Sequence, residues 1–455
     1  MLQKIIKLCE FGQFTDALQQ IKAIILDGNS SSELYRIKGQ VELELGQIDE
    51  SINSLIECLS LDSTNQSGLV LIGNIYAIHK DDIETAKKYY SQVLDLNTDN
   101  YIALTNIGGI IAKAGRFEEA EEYFTKALLI EPDYPNSIYA LALTLYNKDL
   151  HTEAFGRSLE ALLKIQSTDD QEAKKLYTQA STLLLEIAKK IVKESDYTEI
   201  YESLIQRLEI SSGKKIDVNI DSSIATPAKF EVAESHNRDR HKLIIREKTS
   251  SYAYYVMHEL MHLQLIVEAR AEDANEIFVS TYENEENFKK KFDKYLDVIS
   301  KAGLNSNQRD TLRNRLFNGL NLQMYNAPLD LFIEKRIYDS YPEMRAVQLL
   351  GLLEIANPSV QGAKDKSIKK IVPPFIRTAN IILSTTLLLQ IKELYGIDLT
   401  NEISDKHLVN RGQILYKDFE EVRVDKSAGE EYDLIRWWAE ELKVLSCFEL
   451  KKESL

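Results

Sequence analysis

Three residues with the spacing of a metal site lie near the middle of the chain: His258, Glu259 and His262. In an α-helix, side chains four residues apart lie on one face, one turn apart, so both imidazoles can bind a single Zn²⁺ ion. Glu259, which follows the first histidine, can then reach a water molecule that the metal activates. The pattern therefore predicts a hydrolytic zinc site with Glu259 as the general base.

The pattern is rare enough to be informative. The chain has only 7 histidines among 455 residues, and composition alone would produce HExxH in about one such chain in a hundred. The neighbours Val256, Met257 and Leu260 are apolar, which is typical of a helix packed into a core. The alternatives are a pair of structural histidines, or a site that binds metal without activity.

The elements around the motif are predicted to be a small sheet followed by a long helix. Alternating apolar and polar residues indicate strands at KIDVNI (215–220), KFEVAE (229–234) and KLIIRE (242–247). A helical pattern from Tyr252 to Phe278 carries the motif. The remainder is predicted to be almost wholly helical, with breaks at Gly303, 326–328, Pro342, Pro358, Pro373 with Pro374, and Gly396.

Strands followed by a helix that carries HExxH resemble the zincin metallopeptidases, over about residues 215 to 275. The resemblance implies a small α+β catalytic domain within residues 213–455, a bound Zn²⁺, and an edge strand that aligns a peptide substrate. It also implies a zinc-dependent endopeptidase. In such an enzyme Glu259 takes a proton from the zinc-bound water and later passes it to the leaving amine.

A catalytic zinc normally has three protein ligands, so the resemblance requires one more than His258 and His262. Metzincins take it ten residues after the first histidine, where this chain has Glu268. That arrangement needs a glycine after the second histidine to break the helix, and the chain has Leu265 there. In an unbroken helix Glu268 lies about 120° around the axis from His262, so it is expected to point away from the metal.

The gluzincin arrangement takes a glutamate from a second helix, and the best match is Glu334. Its segment opens with Pro328, which suits a first helical turn, and an unpaired carboxylate there would be costly to bury. Gluzincins commonly place an aspartate four residues after that glutamate, where this chain has Tyr338. Asp330, one turn before Glu334, is expected either to orient a ligand histidine or to be the ligand itself. The predicted metal ligands are therefore His258, His262 and Glu334, with Glu268, Asp330 and Glu354 as the alternatives.

A hydrolytic site also needs a donor that stabilises the oxyanion of the tetrahedral intermediate. The side chains with suitable chemistry are Tyr338, Tyr325, His236, His241 and His407. Donors are recognised by geometry, so the sequence does not select one of them.

The first part of the chain is a repeat. Gly39, Gly73 and Gly108 occupy equivalent settings, 34 and 35 residues apart. The clearest copy, residues 101–134, matches the tetratricopeptide pattern at its small, aromatic and turn positions: Gly108, Gly115, Ala120, Phe124, Ala127 and Pro132.

This resemblance to tetratricopeptide repeats implies about five helical hairpins over residues 1–168, stacked into a right-handed solenoid. A helical pair within 169–212 is expected to cap the array and connect it to the next domain. The concave face is expected to hold a protein or peptide, either a substrate or a regulator. A rigid spacer, or a non-catalytic scaffold whose second domain is a binding or structural-zinc module, is the alternative.

Bulk composition limits the remaining possibilities. With 44% hydrophobic and 28% charged residues, the chain is expected to fold into two or three globular units, mostly α-helical. The net charge of −16 disfavours a nucleic-acid partner. The start lacks the pattern of an export signal, and the late apolar stretch at 381–389 is too short to span a bilayer. Cys9, Cys58 and Cys447 lack metal or disulfide spacing, so a cytoplasmic protein without a membrane partner is predicted.

Overall fold

The structure is a computed structural model that describes residues 2–165, 171–365, 367–424 and 426–453. The chain divides into two compact units, Met1–Leu184 and Leu185–Leu455. Helices predominate in both units, and two small sheets lie in the second. The fold is therefore mostly α, with a helical-hairpin array followed by a unit that contains β-strands.

In the described part of the first unit, ten helices form five consecutive hairpins. The two helices of each hairpin pack together, and the second helix of each hairpin also packs on the first helix of the next. Stability in such an array comes from the hairpins and from contacts between neighbours. The helices are α1 (Leu2–Glu10), α2 (Phe14–Leu26), α3 (Ser32–Glu44), α4 (Ile48–Leu61), α5 (Gln66–Ile78), α6 (Ile83–Leu96), α7 (Tyr101–Lys113), α8 (Phe117–Ile130), α9 (Pro135–Asn147) and α10 (His151–Lys164).

The glycines that define the period lie where the two helices of a hairpin meet. A Cβ atom on Gly108 would lie only 2.7 Å from Cε1 of Phe124, so no larger residue fits without a shift of the ring. The close approach explains why a glycine recurs at this position in three of the hairpins. The same contact joins Gly73 to Tyr90 and Gly39 to Leu55.

Two helices, α11 (Gln171–Glu194) and α12 (Thr198–Ser212), follow the array. They were predicted to form a separate connecting part at 169–212. The division between the compact units falls inside α11, between Leu184 and Leu185, and α12 packs on α13 and β1 of the second unit. The predicted limit at residues 168 and 169 lies outside the described residues.

The second unit begins with a three-stranded sheet of β1 (Lys215–Ile220), β2 (Ala228–Glu231) and β3 (Arg240–Ile245). The order is β1-β3-β2; β3 pairs parallel with β1 and antiparallel with β2. The first strand coincides with its predicted range. The other two lie closer to the N-terminus than predicted, by up to three residues. Alternate residues of β3 are buried, and this face of the sheet packs on the helix that follows.

That helix, α13, runs from Tyr252 to Ala271. It was predicted to continue to Phe278, and this was wrong. A turn with left-handed backbone at Asp273 (φ 52°) ends the helical path. Phe278 instead lies in β4 (Glu276–Val279), which pairs antiparallel with β5 (Glu449–Lys452). The part after the motif is therefore helical apart from turns and these two short strands, and the EIFV run of β4 also fits a helical pattern.

A single long helix, α16 (Ser306–Ser340), contains both acidic candidates of the second ligand segment. A break was predicted at 326–328, but the helix continues through Pro328. Proline removes one backbone donor from a helix interior, which destabilises it. Pro328 is buried and α16 packs on α13, α19 and α21, so tertiary contacts offset that cost.

Seven further helices complete the unit in its described ranges. Pro358 also lies inside a helix, contrary to the predicted break, whereas Gly396 caps its helix with φ of 70°. One helix, α19, is long and apolar enough to cross a membrane, although 56% of the relevant stretch is buried within the fold. The helices are α14 (Tyr282–Asp293), α15 (Leu296–Lys301), α17 (Arg345–Lys364), α18 (Ile368–Ile371), α19 (Pro374–Tyr395), α20 (Lys406–Val422) and α21 (Glu431–Glu441).

Candidate metal centre

Three potential ligand atoms converge between α13 and α16. The Nε2 atoms of His258 and His262 are 3.3 Å apart. The Oδ1 atom of Asp330 lies 3.3 Å from Nε2 of His262 and 3.5 Å from Nε2 of His258. These three side chains form a group able to hold a metal ion.

The helices account for this convergence. His258 and His262 are four residues apart on α13, so they lie on one face, and α16 packs against that helix. The buried Oδ1 atom of Asp330 has no hydrogen-bond donor among the described residues. The two imidazole nitrogens lie within 3.5 Å of it. A buried carboxylate oxygen without a donor is costly, and a cation offsets that cost.

The spacing suits tetrahedral zinc. Two ligand atoms that each lie about 2.0–2.1 Å from such an ion are about 3.3–3.4 Å apart. The three distances observed here, 3.3, 3.3 and 3.5 Å, are close to that value. Three protein ligands leave a fourth position for water or substrate, which is the arrangement of catalytic zinc sites.

Glu334, which the sequence analysis predicted as the third metal ligand, lies on the other side of the His258 ring from the convergence point. Its Oε1 atom is 2.7 Å from Nδ1 of His258, the ring nitrogen opposite the convergence point. With the proton on Nδ1, His258 donates to Glu334 and presents Nε2 to a metal. Asp330, an alternative ligand in the sequence analysis, is the carboxylate that lies beside both Nε2 atoms. Asp330 and Glu334 are four residues apart, so they lie one turn apart on α16.

A buried network fixes the Glu334 carboxylate. The hydroxyl of Tyr254 donates to Oε1 at 2.8 Å, and the amide of Gln348 donates to Oε2 at 2.7 Å. Gln348 in turn accepts a hydrogen bond from the hydroxyl of Tyr395. Glu334 is only 1% exposed, so these donors compensate for its burial and hold it in one orientation.

Sequence reasoning did not find this network. Tyr254 lies one turn before His258 on the same face of α13, which is a position from which it could reach a partner of that histidine. Gln348 is the one polar residue in an apolar run, a signal that a buried partner exists. Gly351 belongs to the same arrangement, because a Cβ atom there would lie 2.0 Å from Cδ1 of Tyr254.

The other two acidic candidates have structural partners instead. Both oxygens of Glu268 lie 2.9 Å from Nη1 of Arg336, so Glu268 ties α13 to α16. Glu354 accepts hydrogen bonds from Ser251 and Tyr255 at 2.8 Å, which holds the start of α13. Neither belongs to the group of converging ligand atoms.

Electrostatics favour positive charge at the convergence point. Burial lowers the pKa of His258, but the carboxylates of Asp330 and Glu334 outweigh it and raise that pKa well above 6.5. Burial raises the pKa of Asp330, but His258 and His262 outweigh it and hold that pKa far below its usual value. A cation, whether a proton or a metal ion, is therefore stabilised here.

A cavity of about 310 Å³ borders the centre and contains Glu259 and His262 in its wall. Glu259 makes no hydrogen bond or ion pair with a described residue, so its carboxylate is available to a bound molecule. Strand β2 forms another wall, through Ala228, Lys229 and Phe230. Among the described strands, β2 pairs only with β3, so its second edge is open to another strand.

Of the five predicted oxyanion donors, the structure places only Tyr325 in the wall of this cavity. Burial raises the pKa of Tyr325 to about 12, so its hydroxyl stays protonated at neutral pH. The other four side chains lie elsewhere. Tyr338 stacks with Arg345, His236 bonds to the Val232 carbonyl, His241 is buried with Nδ1 bonded to the Ala233 amide, and His407 is exposed at the start of α20.

Comparison with protein families identifies the class of the first unit. Two models for tetratricopeptide repeats match, at residues 32–65 and 77–138. The first unit is therefore a tetratricopeptide-repeat scaffold, of a kind that mediates protein–protein interactions. The matched residues do not include the metal centre.

Curated relatives are similar over parts of their length. Tetratricopeptide repeat protein 21A of Mus musculus is 24% identical over 122 residues, which is 27% of this chain and 9% of that protein. The BBSome complex member bbs-4 of Caenorhabditis elegans is 27% identical over 150 residues, or 32% of each. The chain thus spans less than a third of the length of these relatives.

Solved structures with partial similarity include the MamA protein, with 24% identity and a TM-score of 0.30, over 35% of this chain and 87% of that one. Another is a thermophilic tetratricopeptide-repeat protein of Thermus thermophilus, with 19% identity and a TM-score of 0.34, over 40% of this chain and 97% of that one.

Proposed function

We propose that the second unit is a zinc-dependent endopeptidase whose metal is held by His258, His262 and Asp330. The observation that carries this proposal is the convergence of three ligand atoms within 3.5 Å of one another. Tetrahedral zinc requires that spacing. Glu334 is assigned a positioning role, because it bonds to the ring nitrogen of His258 that faces away from the proposed metal.

Zinc held by these three side chains supplies Lewis-acid activation of water and of a substrate carbonyl group. Glu259 acts as the general base: its unpaired carboxylate in the cavity wall accepts a proton from water and returns it to the leaving amine. Glu334 keeps the His258 proton on Nδ1, and thereby leaves Nε2 free to bind the metal.

The open edge of β2 supports a peptide as the substrate. An extended peptide can add to an open edge through backbone hydrogen bonds, and β2 borders the same cavity as Glu259 and His262. Tyr325 is proposed to donate to the oxyanion, because its hydroxyl stays protonated and it lines that cavity.

The repeat unit is proposed to recruit the substrate or a regulator. Tetratricopeptide repeats generally bind protein or peptide partners, and recruitment would restrict hydrolysis to selected proteins. The three cysteines are free thiols, with Cys58 and Cys447 buried, which fits the cytoplasmic setting proposed for this enzyme.

The test compares the zinc-loaded protein with two matched glutamate variants. Wild type, Glu259→Gln and Glu268→Gln are each incubated with a cell lysate, and new peptide termini are scored by mass spectrometry. Glu268 lies on the same helix but pairs with Arg336, so its variant controls for loss of a carboxylate. We expect new termini with wild type and Glu268→Gln, and loss of at least about 100-fold with Glu259→Gln.

Equal activity in the Glu259 variant would refute its role as base. If none of the three proteins produces new termini although each binds one zinc ion, the proposal of hydrolysis fails. The chain would then be a non-catalytic scaffold with a metal-binding module.

A further inference from the structure

A second cavity lies in the helical part of the second unit and shares no lining residue with the cavity at the metal centre. Its volume is about 340 Å³, within the range of small-molecule sites. Helices α16, α17, α18 and α19 contribute its walls. Most of the lining is apolar, with side chains such as Leu316, Val360, Ile368, Ile381 and Leu388.

Two polar side chains in this cavity lack partners. The Arg377 side chain makes no hydrogen bond or ion pair with a described residue. The Oδ1 atom of Asn380 is buried and has no hydrogen-bond partner among the described residues. Buried polar atoms are normally satisfied, so an unpartnered amide oxygen and an unpaired guanidinium on the lining of one largely apolar cavity indicate a ligand.

We propose that this cavity binds the C-terminal residue of a short peptide that ends in an apolar side chain and a free carboxylate. Arg377 binds the carboxylate through paired N–H donors. Asn380 Oδ1 accepts the backbone N–H of the same residue. The apolar wall receives the side chain.

The spacing of the two polar groups selects this ligand class. Arg377 and Asn380 are three residues apart on α19, so they are neighbours on one face, with Cβ atoms about 5–6 Å apart. The ligand must therefore carry its anion and its N–H donor within a few bonds of each other. An amino-acid residue with a free carboxylate has both groups on one carbon atom.

A third polar residue on the same face of α19 also lines the cavity. Ser384, one turn beyond Asn380, lines the cavity and lies 3.5 Å from the amide nitrogen of Gln323 on α16. These two polar groups suit the preceding peptide bond of the ligand. A ligand of two residues with a blocked N-terminus therefore matches both the polar stripe and the volume.

The probe is N-acetyl-Leu-Leu with a free carboxylate, and its C-terminal amide is the matched comparison. Binding to the full chain is measured by titration calorimetry at constant zinc. We expect the acid to bind at least about tenfold more tightly than the amide, because only the acid forms the charge-assisted pair with Arg377.

Variants locate the binding. Arg377→Gln should lose about tenfold or more in affinity for the acid, and Ala363→Phe should block binding by filling the cavity. Lys370→Gln removes an exposed positive charge on the neighbouring α18 and should bind as wild type does. Thermal unfolding of each variant confirms that the fold is retained.

The proposal is overturned if the acid and the amide bind equally, or if neither binds in the millimolar range. It is also overturned if Arg377→Gln binds the acid as well as Lys370→Gln does. Zinc content and hydrolysis are measured separately in these variants and are expected to be unchanged, so this proposal and the peptidase proposal can fail independently.

Discussion

The two units of this protein differ in the sequence separation of the residues that make their most important contacts. In the repeat unit, Gly108 packs against Phe124 in the next helix of the same hairpin. At the metal centre, His258 bonds to a residue 76 positions away and Tyr254 to one 80 positions away. A change in the repeat unit should therefore remain local, whereas a change at the centre should spread through a shared network.

The centre is sensitive because one carboxylate has several partners. Glu334 accepts hydrogen bonds from His258, Tyr254 and Gln348. Removing one of these partners leaves the buried Glu334 carboxylate with too few hydrogen bonds. The loss in folding free energy is then larger than the net contribution of the bond itself. The hairpins have no comparable shared group at the glycine contact.

Replacement of Asp330 should have the largest effect. Asp330→Ala removes a ligand, and we expect zinc affinity to fall by more than about 100-fold. Glu334→Gln removes a positioning group, and such changes typically cost about 10–100-fold. Competition with a chelator measures both. A greater loss in the Glu334 variant would restore Glu334 as the ligand.

Gly351→Ala should destabilise the second unit by about 3 kcal/mol, because the added Cβ atom overlaps the ring of Tyr254, at 2.0 Å. The displaced ring should also weaken the bond to Glu334, so zinc affinity should fall as well. Denaturant unfolding and zinc titration check the two effects. Loss of stability with unchanged zinc affinity would show that Tyr254 does not position the centre.

Gly108→Ala should destabilise the repeat unit by about 1–2 kcal/mol, because its Cβ atom would lie 2.7 Å from Phe124. Gly109→Ala is the matched control, since an added Cβ atom there meets nothing within 4 Å. It should instead stabilise α7 by about 0.5–1 kcal/mol. Neither should alter zinc affinity, and a change in that affinity would contradict the local character of the repeat contacts.

Zinc affinity should rise with pH by about tenfold per unit in the range below the pKa of His258. Nearby carboxylates raise that pKa, so zinc must displace a proton from the imidazole. Without zinc, the charged imidazole stabilises the fold below about pH 6.5, and this contribution is lost as pH rises through the folded-state pKa. Asp330 acts in the opposite sense, because its stabilisation is present above about pH 3.9 and is lost as pH falls through its depressed folded-state pKa. Chelator competition from pH 6 to 8 measures the zinc dependence, and a flat profile would exclude proton displacement.

The sequence predicted the repeat unit well because its signal is local and redundant. Gly39, Gly73 and Gly108 each lie at the same contact between the two helices of a hairpin. The regular spacing of these glycines is therefore enough to predict the hairpins. The HExxH spacing similarly places His258 and His262 on one face of α13. Both predictions depend on residues that are close in sequence.

The third ligand could not be predicted in the same way, because it depends on how two distant helices pack. Asp330 and Glu334 lie about one turn, or ~6 Å, apart along one face of α16, so the position of α16 along α13 decides which of them is near Nε2. The predicted break at Pro328 favoured Glu334 in the sequence analysis, since it placed Glu334 well inside a short helix and Asp330 at its start. Only the packing of α13 on α16 determines which carboxylate meets Nε2 and which meets Nδ1.

The most direct test is an anomalous difference map, recorded at the zinc absorption edge from crystals of the zinc-loaded protein. We expect one peak about 2.0–2.2 Å from Nε2 of His258, Nε2 of His262 and a carboxylate oxygen of Asp330, with Glu334 still bonded to Nδ1 of His258. A peak coordinated by Glu334, or no peak near the two histidines, would contradict the proposed metal centre.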